Sequence, residues 1–198
     1  MILTVTAFKG GVGKTTTAIH LAAYLNQKAP TILIDGDLNR SAMLWASHGK
    51  LSFPVVDERE GLKASRQYDH IVIDTPARPE AEEIKSLSRG CDLLLLPTTP
   101  DVLAMGALNA NIQTLRRLDV QNFKILITIV PPRPSTVGSE AKAYLERSGL
   151  PVLTNMITRL AVYPKAALEG VIVSEVKGDH YAGIAWNDYK AVGGEING

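Results

Sequence analysis

The chain has 198 residues, 45% of them hydrophobic, which suits one compact domain over residues 1–198 with a buried core. Charged residues make up 21% and nearly balance to a formal net charge of +1, so overall charge argues neither for nor against nucleic acid binding. The single cysteine, Cys91, excludes an internal disulfide framework and an all-cysteine metal site, and we expect a buried thiol. The four scattered histidines have no second metal-type ligand at a helical or turn spacing.

Short apolar runs alternate with helical patterns along the chain. The predicted strands are residues 2–8, 31–35, 70–74, 93–97, 124–130 and, with a weaker pattern, 152–153. The predicted helices are residues 14–26, 41–48, 80–87, 102–118 and 139–147. Little polar alternation within the runs indicates strands buried on both faces. The order therefore predicts an α/β fold, a twisted parallel sheet with right-handed crossovers that is flanked by helices.

Two stretches fit neither pattern. Residues 53–66 mix charges with Gly61 and show no clear period. Residues 131–136, PPRPST, are rigid by composition and follow a predicted strand. They form either a stiff loop or, because they leave the carboxyl end of a strand, one wall of a ligand pocket.

The opening MILTVTAF is interpreted as a strand, because it lacks the basic region and cleavage site of a signal peptide. No apolar run approaches the ~18 residues of a membrane span. We therefore expect a cytoplasmic protein.

A glycine-rich stretch, FKGGVGKTT at residues 8–16, follows the first predicted strand. Glycines let backbone N–H groups turn inward around an anion, and the helix that follows directs its positive end at the same anion. Lys14 is expected to contact the β- and γ-phosphate oxygens, and the Thr15 hydroxyl to bind Mg²⁺. The usual pattern, G-x-x-x-x-G-K-[ST], would have glycine at position 8, where this chain has Phe8. It also leaves the second lysine, Lys9, unexplained.

Aspartates stand at the ends of two other predicted strands: Asp35 and Asp37 in LIDGDLNRS, and Asp74 in HIVIDTPARP. The carboxyl ends of parallel strands share one edge, so these side chains are expected near the glycine-rich loop. Asp74 fits a Walker B aspartate that holds Mg²⁺ through water, or else a helix-capping or turn residue. Asp37 could orient or activate the attacking water. Asp35 could support Mg²⁺ or cap its strand.

KGGVGKTT, with a lysine ahead of the glycines, resembles the deviant Walker A box of the ParA/MinD family. These are dimeric P-loop ATPases that position plasmids, chromosome origins, division inhibitors or carboxysomes. TILIDGDLNRSA is similar to the family's second aspartate box, HIVIDTPA to its Walker B strand, and LLLLPTTPDVLAMGAL to the strand and helix that follow. The resemblance covers roughly the whole chain and implies a P-loop NTPase fold.

The resemblance also implies roles for single residues. Lys9 would reach across a nucleotide-sandwich dimer to the other subunit's phosphates, much as an arginine finger does. Catalysis would rest on Lys9, Lys14 and Asp37, and Mg²⁺ on Thr15, Asp37 and Asp74. The implied nucleotide-binding residues are Lys9, Gly10, Gly11, Val12, Gly13, Lys14, Thr15 and Thr16.

The chain also departs from the family. Relatives usually have Asp-Pro-Gln where this chain has Asp37 followed by Leu38 and Asn39. The region ITIVPPRPS lacks the asparagine with which many relatives read adenine. TRLAVYPKAALEG, residues 158–170, resembles the loop that packs near adenine in small ParA proteins, which makes Thr158 and Pro164 candidates for that contact.

Sequence features also bear on the partners. GIAWNDYKAVGGEING is not a basic amphipathic helix, so no membrane anchor is expected, and iron–sulfur relatives would need paired cysteines. DNA-binding relatives use scattered basic residues that contact phosphates rather than bases. The candidates here, each of which could instead be an ordinary solvated charge, are Arg133, Lys142, Arg147, Arg159, Lys165 and Lys177.

The resemblance implies an ATP- and Mg²⁺-dependent ATPase that closes into a homodimer, binds nucleoid DNA without sequence preference and is nucleoid-associated. It would position or segregate a plasmid, chromosome region or carboxysome through a ParB- or McdB-like adaptor that stimulates hydrolysis. One alternative is a P-loop metabolic enzyme, such as a kinase or ligase acting on a small molecule. Another is a non-hydrolysing, nucleotide-gated binding protein, against which the intact Asp37 and Asp74 argue.

Overall fold

A computed structural model describes residues 1–197, apart from the side chain of Leu62. Its strands are Ile2–Ala7 (β1), Thr31–Asp35 (β2), Val55–Asp57 (β3), His70–Ala77 (β4), Leu93–Thr98 (β5) and Phe123–Ile127 (β6). They form one six-stranded parallel sheet in the order β3-β2-β4-β1-β5-β6. The predicted parallel α/β fold is confirmed.

The helices are Lys14–Asn26 (α1), Ser41–Ala46 (α2), Glu58–Ala64 (α3), Ala81–Arg89 (α4), Val102–Arg117 (α5), Val137–Arg147 (α6), Val162–Glu169 (α7) and Ala182–Asn197 (α8). Short 3-10 turns lie at Ser65–Gln67 and Val173–Glu175. Helices α1, α2, α7 and α8 contribute to one apolar cluster, and α4, α5 and α6 to the other.

Strands β5 and β6 supply side chains to both clusters, because successive residues of a strand point to opposite faces of the sheet. In β5, Leu95 belongs to the first cluster, whereas Leu94 and Leu96 belong to the second. All three are essentially inaccessible. With helices over both faces, loops at the carboxyl edge of the sheet are the natural place for a ligand.

The missing period predicted an irregular segment from residue 53 to 66, and this prediction is wrong. The segment contains β3 and α3, whose three and seven residues are too few to show a period. Asp57 begins α3 by accepting a 3.0 Å hydrogen bond from the backbone N–H of Glu60.

Other sequence boundaries were also wrong. Strand β6 ends at Ile127 rather than 130, because the chain turns at Ile129, whose φ is +54°. Val152 forms only an isolated bridge with Ile125 instead of a strand over 152–153. Cys91 is half-buried rather than buried.

Helices α7 and α8 carry the least obvious sequence signal. In α8, a Cβ atom on Gly193 would lie 2.4 Å from the ring of Tyr24, so this glycine permits close packing of α8 on α1. Glycine weakens the intrinsic helix preference, and tertiary packing supplies the stability instead.

Candidate functional site

The loop between β1 and α1 forms an open cradle. Gly11 and Gly13 have φ angles of +77° and +78°, which side chains other than glycine rarely adopt. Gly13 directly precedes α1, and no side chain caps that helix end. A Cβ atom at Gly10, Gly11 or Gly13 would have no heavy atom within 4 Å, so the space beside the loop is free for an anion. The positive end of α1 faces this loop.

The predicted lysine and aspartates meet behind this cradle. Lys14 Nζ lies 3.4 Å from Asp37 Oδ2 and 3.5 Å from Asp74 Oδ1. The Thr15 hydroxyl donates a 2.6 Å hydrogen bond to Asp74 Oδ2. The parallel pairing of β2 with β4 sets Asp35 opposite Asp74 and so brings the loops after these strands together.

The pKa values of Asp37 and Asp74 are shifted in opposite directions. Burial raises the pKa of Asp74 to about 6, although the Lys14 charge and the Thr15 hydrogen bond act to lower it. For Asp37, burial also acts to raise the pKa. Hydrogen bonds from the Asn39 backbone and side chain, together with Lys14, outweigh burial and hold that pKa below its usual value. Asp37 is therefore an ionised acceptor at neutral pH.

Asp74 Oδ1 is a buried oxygen that accepts no hydrogen bond among the described residues. A buried carboxylate oxygen of this kind is costly unless a donor or cation meets it. With the Thr15 hydroxyl and Asp37, it fits a Mg²⁺ ion that also takes phosphate and water oxygens, as Mg²⁺ usually does. Across residues 1–197, no three His, Cys, Asp or Glu side chains are arranged to hold a metal by themselves.

Asp35 has a different task from Asp37. Its Oδ1 accepts a 3.1 Å hydrogen bond from the backbone N–H of Asp37, and its Oδ2 accepts a 2.9 Å bond from that of Met43. Only 4% of the residue is exposed. Of the two alternatives for Asp35, the contacts support the structural one, because both oxygens anchor the segment that carries Asp37.

Lys9 lies outside this group of charges. Its Nζ is 3.2 Å from Oδ1 of Asp101, which lies shortly after β5 and caps α5. Asp101 is fixed in place, since its Oδ1 also accepts a 3.0 Å bond from the backbone N–H of Ala104 and its Oδ2 a short bond from the Thr99 hydroxyl. The Thr99 bond, followed by smaller contributions that include Lys9, holds the pKa of Asp101 well below its usual range.

Sequence reasoning did not select Asp101. The available signal was its position in PTTPDV, at the carboxyl end of a strand, which is the same criterion that selected Asp35 and Asp74.

A cavity of about 620 Å³ adjoins the loop at Gly13 and Thr16. Pro131 and Pro132 form one wall, so PPRPST contributes to a pocket. The candidates Thr158 and Pro164 line the cavity as well, and the aromatic part of its lining is Tyr163 and Tyr189. Its volume is within the range of small-molecule sites, and its largely apolar lining suits the base of a nucleotide.

A buried histidine supports this pocket from behind. His20 stacks on the ring of Tyr189 at 4.7 Å, and Tyr189 Oη lies 3.2 Å from the Thr17 hydroxyl. His20 Nδ1 donates to the Thr16 carbonyl at 2.7 Å, and Nε2 accepts from the backbone N–H of Val173 at 3.1 Å. Burial lowers the pKa of His20 to about 4, so the ring is neutral. The sequence had suggested only that His20 is no metal ligand.

The basic residues proposed for DNA are only partly free. Lys165 is paired with Asp179 at 2.6 Å, and Lys142 with Glu146 at 3.6 Å. Arg159 lines the large cavity. Within the described residues, ion pairs are absent at Arg133, Arg147, Arg159 and Lys177. None of the helices between residues 1 and 197 is long and apolar enough to cross a membrane.

A glycine cradle at a helix start, a lysine between two aspartates and an adjoining, largely apolar cavity define a P-loop nucleotide-binding protein. The chain belongs to the CobQ/CobB/MinD/ParA nucleotide-binding domain family, whose pattern it matches over residues 3–182.

Two relatives and one solved structure align with most of this chain. The maintenance of carboxysome distribution protein A of Gloeobacter kilaueensis is 34% identical over 96% of this chain and 90% of its own length. The protein of that name from Halothiobacillus neapolitanus is 31% identical over 88% of this chain and 87% of its own. The McdA–ATP complex from Cyanothece has the same fold, with a TM-score of 0.79 over 99% of this chain and 96% of that one, at 16% identity.

Proposed function

We propose that this protein is an ATPase that dimerises on ATP, binds nucleoid DNA without sequence preference and positions a cargo through an adaptor that stimulates hydrolysis. The observation that carries the proposal is the pair of lysines on one phosphate loop. Lys14 lies within the aspartate group, whereas Lys9 is directed outward to Asp101. A lysine that only bound its own nucleotide would have no need of this outward position.

The charges suggest how the site works. Bound phosphates would compete with Asp37 and Asp74 for Lys14, since all are anionic partners of the same ammonium group. Bound Mg²⁺ would neutralise charge on the phosphates. Asp37, ionised and fixed by Asn39, would orient the attacking water. Lys9 would leave Asp101 for the phosphates of the second subunit.

The cargo is proposed from the relatives. Two proteins that match this chain at 34% and 31% identity carry the name maintenance of carboxysome distribution protein A. We therefore favour a carboxysome as cargo, with an McdB-like adaptor. Plasmids or chromosome regions with a ParB-like adaptor come second, because ParA of Rhizobium radiobacter and the chromosome-partitioning ATPase Soj of Thermus thermophilus, each 30% identical, align with only 52% and 73% of this chain.

The test is binding to a random-sequence DNA duplex at one stated salt concentration, with ATP, ADP or no nucleotide. We expect binding only with ATP, a steep decrease with added salt, and loss of binding in Lys9→Ala. Lys28→Ala is a matched control, since Lys28 is an exposed lysine just after α1 and is not among the DNA-binding candidates. Turnover of ATP without DNA binding under any condition would refute the DNA-based part of the proposal.

A metabolic enzyme remains the second candidate, because a cavity of about 330 Å³ lies next to the aspartate segments. It is lined by Gly36 and Thr75, the neighbours of Asp37 and Asp74, and by the charged residues Glu58, Arg78 and Glu83. Such a space could hold a small phosphoryl acceptor. ATP turnover that depends on an added metabolite, and not on DNA or an adaptor, would favour this candidate.

A further inference from the structure

Arg78 has an unusual backbone conformation at the end of β4. Its φ angle is +62°, in the left-handed region that residues with a Cβ atom rarely adopt. Pro76 and Pro79 on either side restrict the chain further. Glycine would adopt this conformation without strain. The presence of an arginine in its place therefore points to a role for the side chain.

The position of Arg78 is fixed relative to the phosphate loop. Its backbone N–H donates a 2.7 Å hydrogen bond to the carbonyl of Ala7, the residue before Phe8 and Lys9. The residue before it, Ala77, is paired in register with Ala7. Arg78 therefore stands beside the start of the loop on the β4 side, whereas Lys9 pairs with Asp101 on the β5 side.

The charge of Arg78 is uncompensated in the described part of the chain. The residue is exposed and forms no ion pair there. Glu58 and Glu83 line the same cavity without reaching ion-pair distance. Arg40 makes a useful contrast, because it has a similar φ of +50° but pairs with Asp57 at 3.6 Å.

We propose that Arg78 contacts the terminal phosphate of the nucleotide in the ATP-bound dimer. The proposal rests on the ATP-dependent dimer proposed above and adds a second cation to Lys9. A guanidinium presents a planar set of donors that matches phosphate oxygens. Arg78, at the end of β4, and Lys9, on the β5 side of the loop after β1, then approach the terminal phosphate from opposite sides of β1. The phosphate is either that of the same subunit or that of its partner.

The test uses Arg78→Gly and Arg78→Lys in the full chain, with ATPγS and ADP as probes. Glycine removes the charge and accepts the positive φ, so folding is retained and thermal stability is equal to or higher than that of the parent. We expect the dimer formed with ATPγS to weaken about 10- to 100-fold, as for loss of a charged hydrogen bond, while ADP affinity is unchanged. Arg78→Lys should recover part of the loss.

Asp119→Gly is the matched control for backbone strain. Asp119 has a φ of +53° and lies between α5 and β6. It is therefore near the amino ends of the strands, whereas the phosphate loop is at their carboxyl ends. Its replacement should affect thermal stability in the same way as Arg78→Gly and leave ATPγS binding unchanged.

A monomeric background, Lys9→Ala, separates the two sources of phosphate. If Arg78→Gly weakens ATPγS binding there, Arg78 contacts the nucleotide of its own subunit. If the monomer is unaffected and only the dimer of the Lys9-containing chain weakens, the contact is to the partner's nucleotide. The inference is wrong if Arg78→Gly changes neither ATPγS binding in the Lys9→Ala background nor ATPγS-dependent dimerisation of the Lys9-containing chain. A parent that does not dimerise with ATPγS would instead overturn the proposed function on which the inference rests.

Discussion

Replacing Asp101 by asparagine tests whether Lys9 is held back in the monomer. Asparagine keeps an oxygen that can cap α5 through the backbone N–H of Ala104, but it removes the charge that attracts Lys9. Lys9 would then be free to reach the second subunit without breaking an ion pair. We expect Asp101→Asn to form the ATP-dependent dimer more tightly than the parent.

The size of the effect follows from exposure. The side chains of Lys9 and Asp101 are 35% and 48% exposed, so the pair belongs to the class of partly solvated surface ion pairs. Such pairs contribute ~0.2–1 kcal/mol. Each subunit loses one pair on dimerisation, so the dissociation constant of the dimer should fall about 2- to 30-fold. The difference should shrink in high salt, which screens exposed charges.

Sedimentation velocity with a non-hydrolysable ATP analogue, at low and high salt, measures this constant. Asp57→Asn supplies the matched control, because Asp57 likewise caps a helix, α3, and pairs with a cation, Arg40, and its replacement should leave dimerisation unchanged. A dimer of Asp101→Asn that is no tighter than the parent at low salt would refute the reasoning. It would mean that Asp101 does not restrain Lys9.

Two further variants probe the aspartates. Asp37→Ala should slow ATP hydrolysis by at least about 100-fold and accumulate the ATP dimer. The variant loses the carboxylate that orients water, while Lys14 remains paired with Asp74. A normal steady-state rate of hydrolysis would exclude this role of Asp37. For Asp74, the pKa of about 6 in the folded state lies above the ordinary aspartate value of 3.8, so the nucleotide-free protein should lose about 2 kcal/mol of stability as pH rises from 4 to 6. Urea unfolding should show this loss in the parent and not in Asp74→Asn; parallel pH profiles would contradict it.

The sequence by itself determined the fold class and the chemistry of the phosphate loop. Both depend on local information: apolar runs alternating with helical periods, and glycines followed directly by Lys14 and Thr15. The strand ends also identified Asp37 and Asp74, because a parallel sheet brings its carboxyl ends to one edge whatever the order of its strands.

Only the tertiary structure decided what depends on distant parts of the chain. Nothing in the sequence LIDGD distinguishes Asp35 from Asp37. In the structure, Asp35 accepts a hydrogen bond from the backbone of Met43, whereas Asp37 lies beside Lys14. Lys9 finds Asp101 only because β1 and β5 are neighbours in the sheet.

The pocket depends on tertiary structure even more strongly. Its walls come from segments after β6 and near the chain's end, and α8 brings Tyr189 against His20 of α1. Helix α8 has little sequence signal, because packing rather than intrinsic preference stabilises it. A pattern within one segment records which face of that segment is buried. Which segment covers that face is determined by contacts far apart in sequence, and these formed only when the chain folded.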